Sequence, residues 1–203
     1  MKKIKRHLFM MFGLVMLSLF GYTTIGTAAM MKDNMKSDMM KDKMMSSKVL
    51  VVYYSLTGST EKVAKMIQEK LGADILKIET EKPYNTSSIP KLEALVKKQM
   101  ANKEKIAIKK INKDLSEYDT IIIGTPAWFS EVALPVQTYL SGQDLSGKTV
   151  TIFTTYGGTY GSLLADFEKS VKAKEVKKGI AFSGRQVKKG IEKELDMWIK
   201  TLK

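Results

Sequence analysis

The stretch Val49-Leu50-Val51-Val52-Tyr53-Tyr54-Ser55-Leu56-Thr57-Gly58-Ser59-Thr60 changes character halfway along. Its first six residues form a near-continuous apolar run, β-branched and aromatic, as expected of a strand buried on both faces of a parallel sheet. Its second half is small and polar and leads into Glu61–Leu71, where Val63, Ala64, Ile67 and Leu71 share one helix face and Gly72 supplies a stop. Between strand and helix lie consecutive backbone amides, four small hydroxyls and a helix N-terminus, a set that surrounds a phosphate without any lysine. Ser59 or Thr60 acting only as a helix cap is the structural alternative, but one cap needs one hydroxyl. The loop is neither a P-loop nor a dinucleotide fingerprint, since GxxxxGK and GxGxxG are both absent.

Working outward, the alternation of strand and helix continues. Ala73–Glu79 reads as a second strand, Pro90–Asn102 as a lysine-rich helix and Thr120–Gly124 as another buried strand. Pro135–Leu140 reads as a short helix, Lys148–Thr154 as a strand and Ser162–Val171 as a helix. Val176–Phe182 is the last strand, and Val187–Leu202 is one amphipathic helix with Ile191, Leu195, Trp198 and Leu202 on a stripe. This order predicts an α/β fold: a three-layer, doubly wound, parallel five-stranded sheet within a single domain at 48–203. Ligands of such sheets bind beyond the carboxyl ends of the strands.

Two more loops at such ends carry a distinctive composition. Thr125-Pro126-Ala127-Trp128-Phe129-Ser130-Glu131 places two adjacent aromatics where they suit a planar ring better than the sheet core, a contact adding about 0.5–1.5 kcal/mol beyond burial. The alternative is that Trp128 packs on its own helix. Thr155-Tyr156-Gly157-Gly158-Thr159-Tyr160-Gly161 interleaves glycines, which let backbone approach a ligand, with two tyrosines that a flexible turn does not explain.

The ends of the chain differ in kind. Residues 1–29 read as an export signal: Lys2, Lys3, Lys5 and Arg6 precede an apolar run, and Gly26-Thr27-Ala28-Ala29 offers a cleavage site. The charge-free stretch Leu8–Ala29 is 22 residues, long enough for an uncleaved membrane anchor. Its lack of amphipathic period argues against a buried helix. Both readings place the protein outside the cytoplasm, secreted or membrane-anchored. Residues 30–47 hold seven of the fourteen methionines and read as a Met/Lys-rich disordered linker. Thioether ligation of Cu(I) and an oxidant sink are the sharper alternatives there.

Composition removes whole classes of chemistry. There is no cysteine, and His7 is the only histidine. Disulfides, thiolate nucleophiles and cysteine-ligated metals are excluded, and loss of residues 1–29 would remove histidine catalysis as well. No catalytic or metal-binding set is assigned, and demanding chemistry falls to a bound cofactor. Beyond residue 29 the chain carries 30 basic and 21 acidic residues, net +9, which suits a polyanionic cell wall, a membrane surface or an acidic partner. The lysines are interspersed with acids and no nucleic-acid-binding motif appears, so nucleic acid is not expected.

Together the three loops resemble the flavodoxin family, most closely its short-chain branch with a V-V-Y-Y-S-x-T-G-x-T stretch, here Val51–Thr60. The resemblance continues through Glu81-Lys82-Pro83-Tyr84, Gly124–Trp128, Asp144–Lys148 and Gly157-Gly158. It implies a flavodoxin-like fold with strand order 2-1-3-4-5 and non-covalent FMN. By the family pattern Ser55, Leu56, Thr57, Gly58, Ser59 and Thr60 hold the phosphate. Pro126, Ala127, Trp128 and Phe129 form the second wall, with Trp128 against one ring face. Thr155, Tyr156, Gly157, Gly158, Tyr160 and Gly161 form the third, with Tyr156 or Tyr160 on the other face. The implied function is extracytoplasmic electron transfer with redox proteins or small quinones as partners. The alternatives are an FMN-dependent NAD(P)H/quinone reductase and an apo surface module with a copper-binding arm.

Three departures qualify the resemblance. Relatives often carry a glycine just after the second-loop aromatic, where a peptide flip stabilises one-electron-reduced flavin. Here Ser130 and Glu131 follow Phe129, and positive φ costs a non-glycine residue about 1 kcal/mol, which points toward two-electron behaviour. Familiar relatives are acidic, so their usual partners do not carry over. They are also cytoplasmic, whereas a chain exported unfolded takes up FMN outside.

Overall fold

The computed structural model describes residues 48–85 and 88–202; the segments read as signal or anchor (1–29) and linker (30–47) lie outside them. In chain order the elements are β1 (Val49–Tyr53), α1 (Ser59–Leu71), β2 (Asp74–Lys77), α2 (Ile89–Ala101), a 3-10 turn (Leu115–Glu117), β3 (Thr120–Trp128), β4 (Glu131–Val132), α3 (Leu134–Leu140), β5 (Thr149–Tyr156), α4 (Leu163–Ser170), β6 (Glu175–Val176), β7 (Ile180–Ser183), α5 (Gly184–Lys189) and α6 (Glu192–Thr201).

The expected doubly wound sheet is present. β1 pairs in parallel with β2 and β3, and β3 with β5. The outer position beside β5 is shared by β6 and β7, both parallel. The two-residue β4 pairs antiparallel with the end of β3; setting it aside and counting the outer position once gives five parallel strands in the order 2-1-3-4-5, with β5 as the fourth. All five residues of β1 are buried, which is why its sequence runs apolar without alternation. The two faces are nevertheless distinct. Leu50, Val52, Ile121, Ile123, Val150 and Ile152 pack with α2, α3 and α4 (Leu92, Val96, Val136, Tyr139, Leu163, Phe167). Val51, Tyr53, Ile122 and Phe153 face α1, α5 and α6 (Val63, Ile67, Val187, Leu195, Trp198).

Two elements in the C-terminal part depart from the sequence reading, and glycine explains both. The last strand is broken between Val176 and Ile180. A Cβ on Gly179 would lie 2.7 Å from Ile152 Cγ2 and 2.8 Å from its carbonyl oxygen, so the chain passes too close to β5 to continue a ladder. The break is held by the Gly179 amide donating to Glu168 Oε1 (2.9 Å), and by Thr151 Oγ1 (3.2 Å) and Trp198 Nε1 (2.8 Å) donating to the Lys178 carbonyl. The C-terminal helix is two helices, because Gly190 adopts φ 117° and ends α5. Ile191, at the joint, still turns into the core and keeps the predicted stripe.

Gly124, mid-strand in β3, lies beneath the Phe153 ring, and a Cβ there would meet ring carbon Cζ at 2.3 Å and Tyr53 Cβ at 2.8 Å. Gly124→Ala is expected to lower the unfolding free energy by about 1–3 kcal/mol through overpacking. A urea titration reads this as an earlier midpoint, and an unchanged midpoint would show that the β3–β5 spacing yields freely.

Candidate functional site

At the carboxyl ends of β1, β3 and β5 lies a cleft of about 420 Å³. Its first wall is the loop into α1. The Ser55 hydroxyl accepts from the Gly58 amide (3.1 Å), and Gly58 occupies the helix cap at φ 90°, with no side chain capping. The first intrahelical bond runs from the Lys62 amide to the Gly58 carbonyl (2.9 Å), so the amides of Ser59, Thr60 and Glu61 have no intrahelical acceptor. Thr57 and Ser59 line the cleft beside Leu56. Neither Ser59 nor Thr60 serves as the cap, which removes that alternative.

Thr60 departs from the expected role. Its side chain is buried, and its hydroxyl is hydrogen-bonded to that of Thr155 at 2.8 Å. The pair ties the first turn of α1 to the end of β5. Ser55 and Gly58 shape the loop without lining the cleft.

The second wall corrects the placement of the aromatics. β3 extends through Trp128 and folds back on β4, pairing Trp128 with Glu131. That turns the indole inward, where Tyr54 (centroids 5.6 Å, 85°) and Tyr84 (5.4 Å, 81°) meet it edge-on. Trp128 is only 9% exposed and belongs to the core. It shares that core with Leu134 and Val136 of α3, and its remaining surface reaches the cleft, beside Pro126 and Ala127. Burial pushes the Tyr54 phenol up and that of Tyr84 up to about 12, so both stay neutral. The open aromatic is Phe129, 52% exposed.

Phe129 and Ser130 form the two-residue turn of this hairpin with φ of 50° and 66°. The turn thus already lies in positive φ without a glycine. Such a conformation costs about 1 kcal/mol or more per residue and persists where surroundings enforce it. Gly161 (φ 52°) leaves the room this turn needs, since a Cβ there would meet Ser130 Cβ and Oγ at 2.5 Å. Gly161 thus packs on the hairpin and does not line the cleft. In the third wall Thr155, Tyr156, Gly157 and Gly158 line the cleft, with Thr159. A Cβ on Gly157 or Gly158 would meet nothing within 4 Å, so open space borders both. Tyr160 leans on Tyr156 (5.1 Å, 53°) and stays outside the cleft lining.

Besides Thr159, four lining residues were not anticipated. Leu92, Glu93 and Val96 of α2 wall the cleft on one side, and Gly184 closes it near Ser59, whose Oγ lies 3.9 Å from the position of an added Cβ. The i, i+4 spacing of Leu92 and Val96 marks a buried helix face but not its target. Gly184 follows the last strand's end, so it had the same signal as the other loops. Among the described residues no lysine or arginine lines the cleft, and Glu93 is the one carboxylate that does. Among the described residues no group of three or more His, Asp or Glu side chains is placed to hold a metal ion.

A parallel 2-1-3-4-5 sheet with a cleft over the ends of its central strands, lined by the start of α1 and by aromatic side chains, defines a flavodoxin-like class. The sequence model of the flavodoxin family matches residues 48–202, and the chain belongs to that family. Among solved structures it is similar to a candidate flavoprotein from Bacteroides eggerthii (28% identity, 77% of this chain and 98% of that one, TM-score 0.67). It is also similar to one from Bacteroides uniformis (27%, 76% and 99%, 0.66). A flavoprotein from Lactobacillus acidophilus in complex with FMN matches at 25% identity over 75% of this chain and 99% of that one, with TM-score 0.60.

Trp128→Ala is expected to cost about 3–5 kcal/mol of stability, as for a core aromatic, and Gly161→Ala about 1–3 kcal/mol from positive φ and the Ser130 clash. Thermal melts check both. A Trp128→Ala protein as stable as the parent would place the indole outside the core.

Proposed function

We propose that the cleft binds FMN non-covalently and that the protein is an extracytoplasmic electron-transfer flavoprotein. One observation carries this reading: Ser59, whose amide is unspent at the start of α1, lines with Thr57 a cleft that has no lysine or arginine among its described lining residues and that Leu92, Val96, Trp128, Phe129 and Tyr156 also wall. Amides and the helix dipole suit a phosphate, the apolar end suits a planar ring, and the empty space beside Gly157 and Gly158 suits close backbone approach. Family membership and the FMN-bound relative support the same cofactor.

In this reading Thr57 and Ser59 hydroxyls and the amides of Ser59 and Thr60 hold the phosphate. Gly157 and Gly158 offer amides to the polar ring edge, and Phe129 and Tyr156 flank the ring. Flavin supplies the redox chemistry when bound. The chain's own residues bind it, orient it and exclude water from its inner side, and the exposed Phe129 rim is where redox proteins or small quinones approach. The positive n-region and apolar run within residues 1–29 support a location outside the cytoplasm.

Adding FMN to the protein is expected to quench flavin fluorescence. Thr57 is exposed, so Thr57→Glu leaves the fold intact. A carboxylate facing a dianion is worth about 1 kcal/mol per charge even in water-like surroundings, so affinity falls by about tenfold or more. Binding unchanged by Thr57→Glu would remove the phosphate from this loop.

A further inference from the structure

Positive charge is unevenly shared along the chain. Residues 48–168 carry fifteen basic and fourteen acidic side chains, net +1, whereas residues 169–203 carry eleven and four, net +7. This last segment builds β6, β7, α5 and α6, which is one edge of the sheet with its neighbouring helices. Lys172, Lys174 and Lys178 on the strand side and Lys188, Lys193 and Lys200 on the helices are all exposed. None forms an ion pair among the described residues, although Lys174 lies near enough to Glu175 to help lower its carboxyl; the segment's ion pairs join Lys177 to Glu175 (2.8 Å) and Asp196 to Lys70 of α1 (2.6 Å).

On α6 the outward face is specific. Leu195, Trp198 and Ile199 are buried, so Lys193, Met197 and Lys200, at i, i+4 and i+7, share the opposite side. Met197 is 54% exposed, one of three large apolar side chains exposed among the described residues. Lysines at a sheet edge discourage strand pairing, which accounts for Lys174 and Lys178 but not for those on α5 and α6.

We propose that this face docks on the surface of an anionic phospholipid bilayer. Point charges spread over a strand edge and two helices fit an extended array of phosphates rather than one small anion, and the flanked Met197 suits the interfacial zone. The 22-residue charge-free run Leu8–Ala29 of the same chain supports a bilayer over a soluble polymer. The proposal is independent of the cofactor assignment.

Full-length protein is floated with vesicles of phosphatidylglycerol mixed with phosphatidylcholine, and with phosphatidylcholine alone. The proposal expects binding to the anionic vesicles that high salt weakens, since screening shortens to about 3 Å at 1 M. The quadruple variant Lys172→Glu, Lys174→Glu, Lys193→Glu, Lys200→Glu is expected to lose about tenfold or more in affinity. The control Lys97→Glu, Lys98→Glu on α2 is expected to keep it, both variants giving the parental circular-dichroism melt. A quadruple variant that melts early is replaced by the Lys193→Glu, Lys200→Glu pair, which is expected to lose several-fold. Insertion through the apolar N-terminal run alone would be indifferent to salt and to these reversals. That result, or equal loss in the α2 control, would overturn the proposal.

Discussion

A hydrogen bond between two buried hydroxyls, Thr60 in the first turn of α1 and Thr155 at the end of β5, joins two elements 95 residues apart at 2.8 Å. Through it the helix N-terminus and the glycine-rich loop hold a fixed separation across the cleft. The remaining ties act around that bond: Lys62 Nζ donates to the Val187 carbonyl (2.9 Å), linking α1 to α5, and the Thr125 hydroxyl accepts from the Ala133 amide (3.0 Å), closing the bend between β3 and α3. With these contacts made by side chains, the amides of Ser59, Thr60 and Glu61 are left unspent and directed by the backbone alone.

The second constraint is strain. A two-residue hairpin turn in positive φ ordinarily recruits Asn or Gly, yet here Phe129 and Ser130 adopt it. An aromatic half in solvent, on a strained turn at the rim of a cleft, departs from local preference at the place where a ligand or partner would meet it. Gly161 makes this possible by leaving room for the Ser130 side chain.

The layer architecture and the order of elements were legible because buried parallel strands and amphipathic helices carry local periodicities. The loops at the strand ends were legible because small residues, hydroxyls and aromatics cluster there against the surrounding pattern. What was not legible depends on distant partners. Trp128 looked free in its own loop, and only Tyr54 and Tyr84, remote in sequence, draw it into the core. The Thr60 hydroxyl, though not its amide, looked like a phosphate ligand because its partner Thr155 lies on another strand. The break in the last strand could have been flagged by Gly179 inside an apolar run, and the end of α5 by Gly190. The turn at Phe129–Ser130 had no such warning, since nothing in its residue types demands positive φ. That α2 walls the cleft is a property of packing that no periodicity encodes.

The central claim is that a lysine-free nest of main-chain amides at the start of α1 receives the phosphate of FMN. Amide-resolved NMR during titration with FMN tests it most directly. The account predicts large, saturable shifts of the Thr57, Ser59 and Thr60 amides together with those of Gly157 and Gly158. Saturable shifts confined to other parts of the surface, with the α1 amides unmoved, would contradict it.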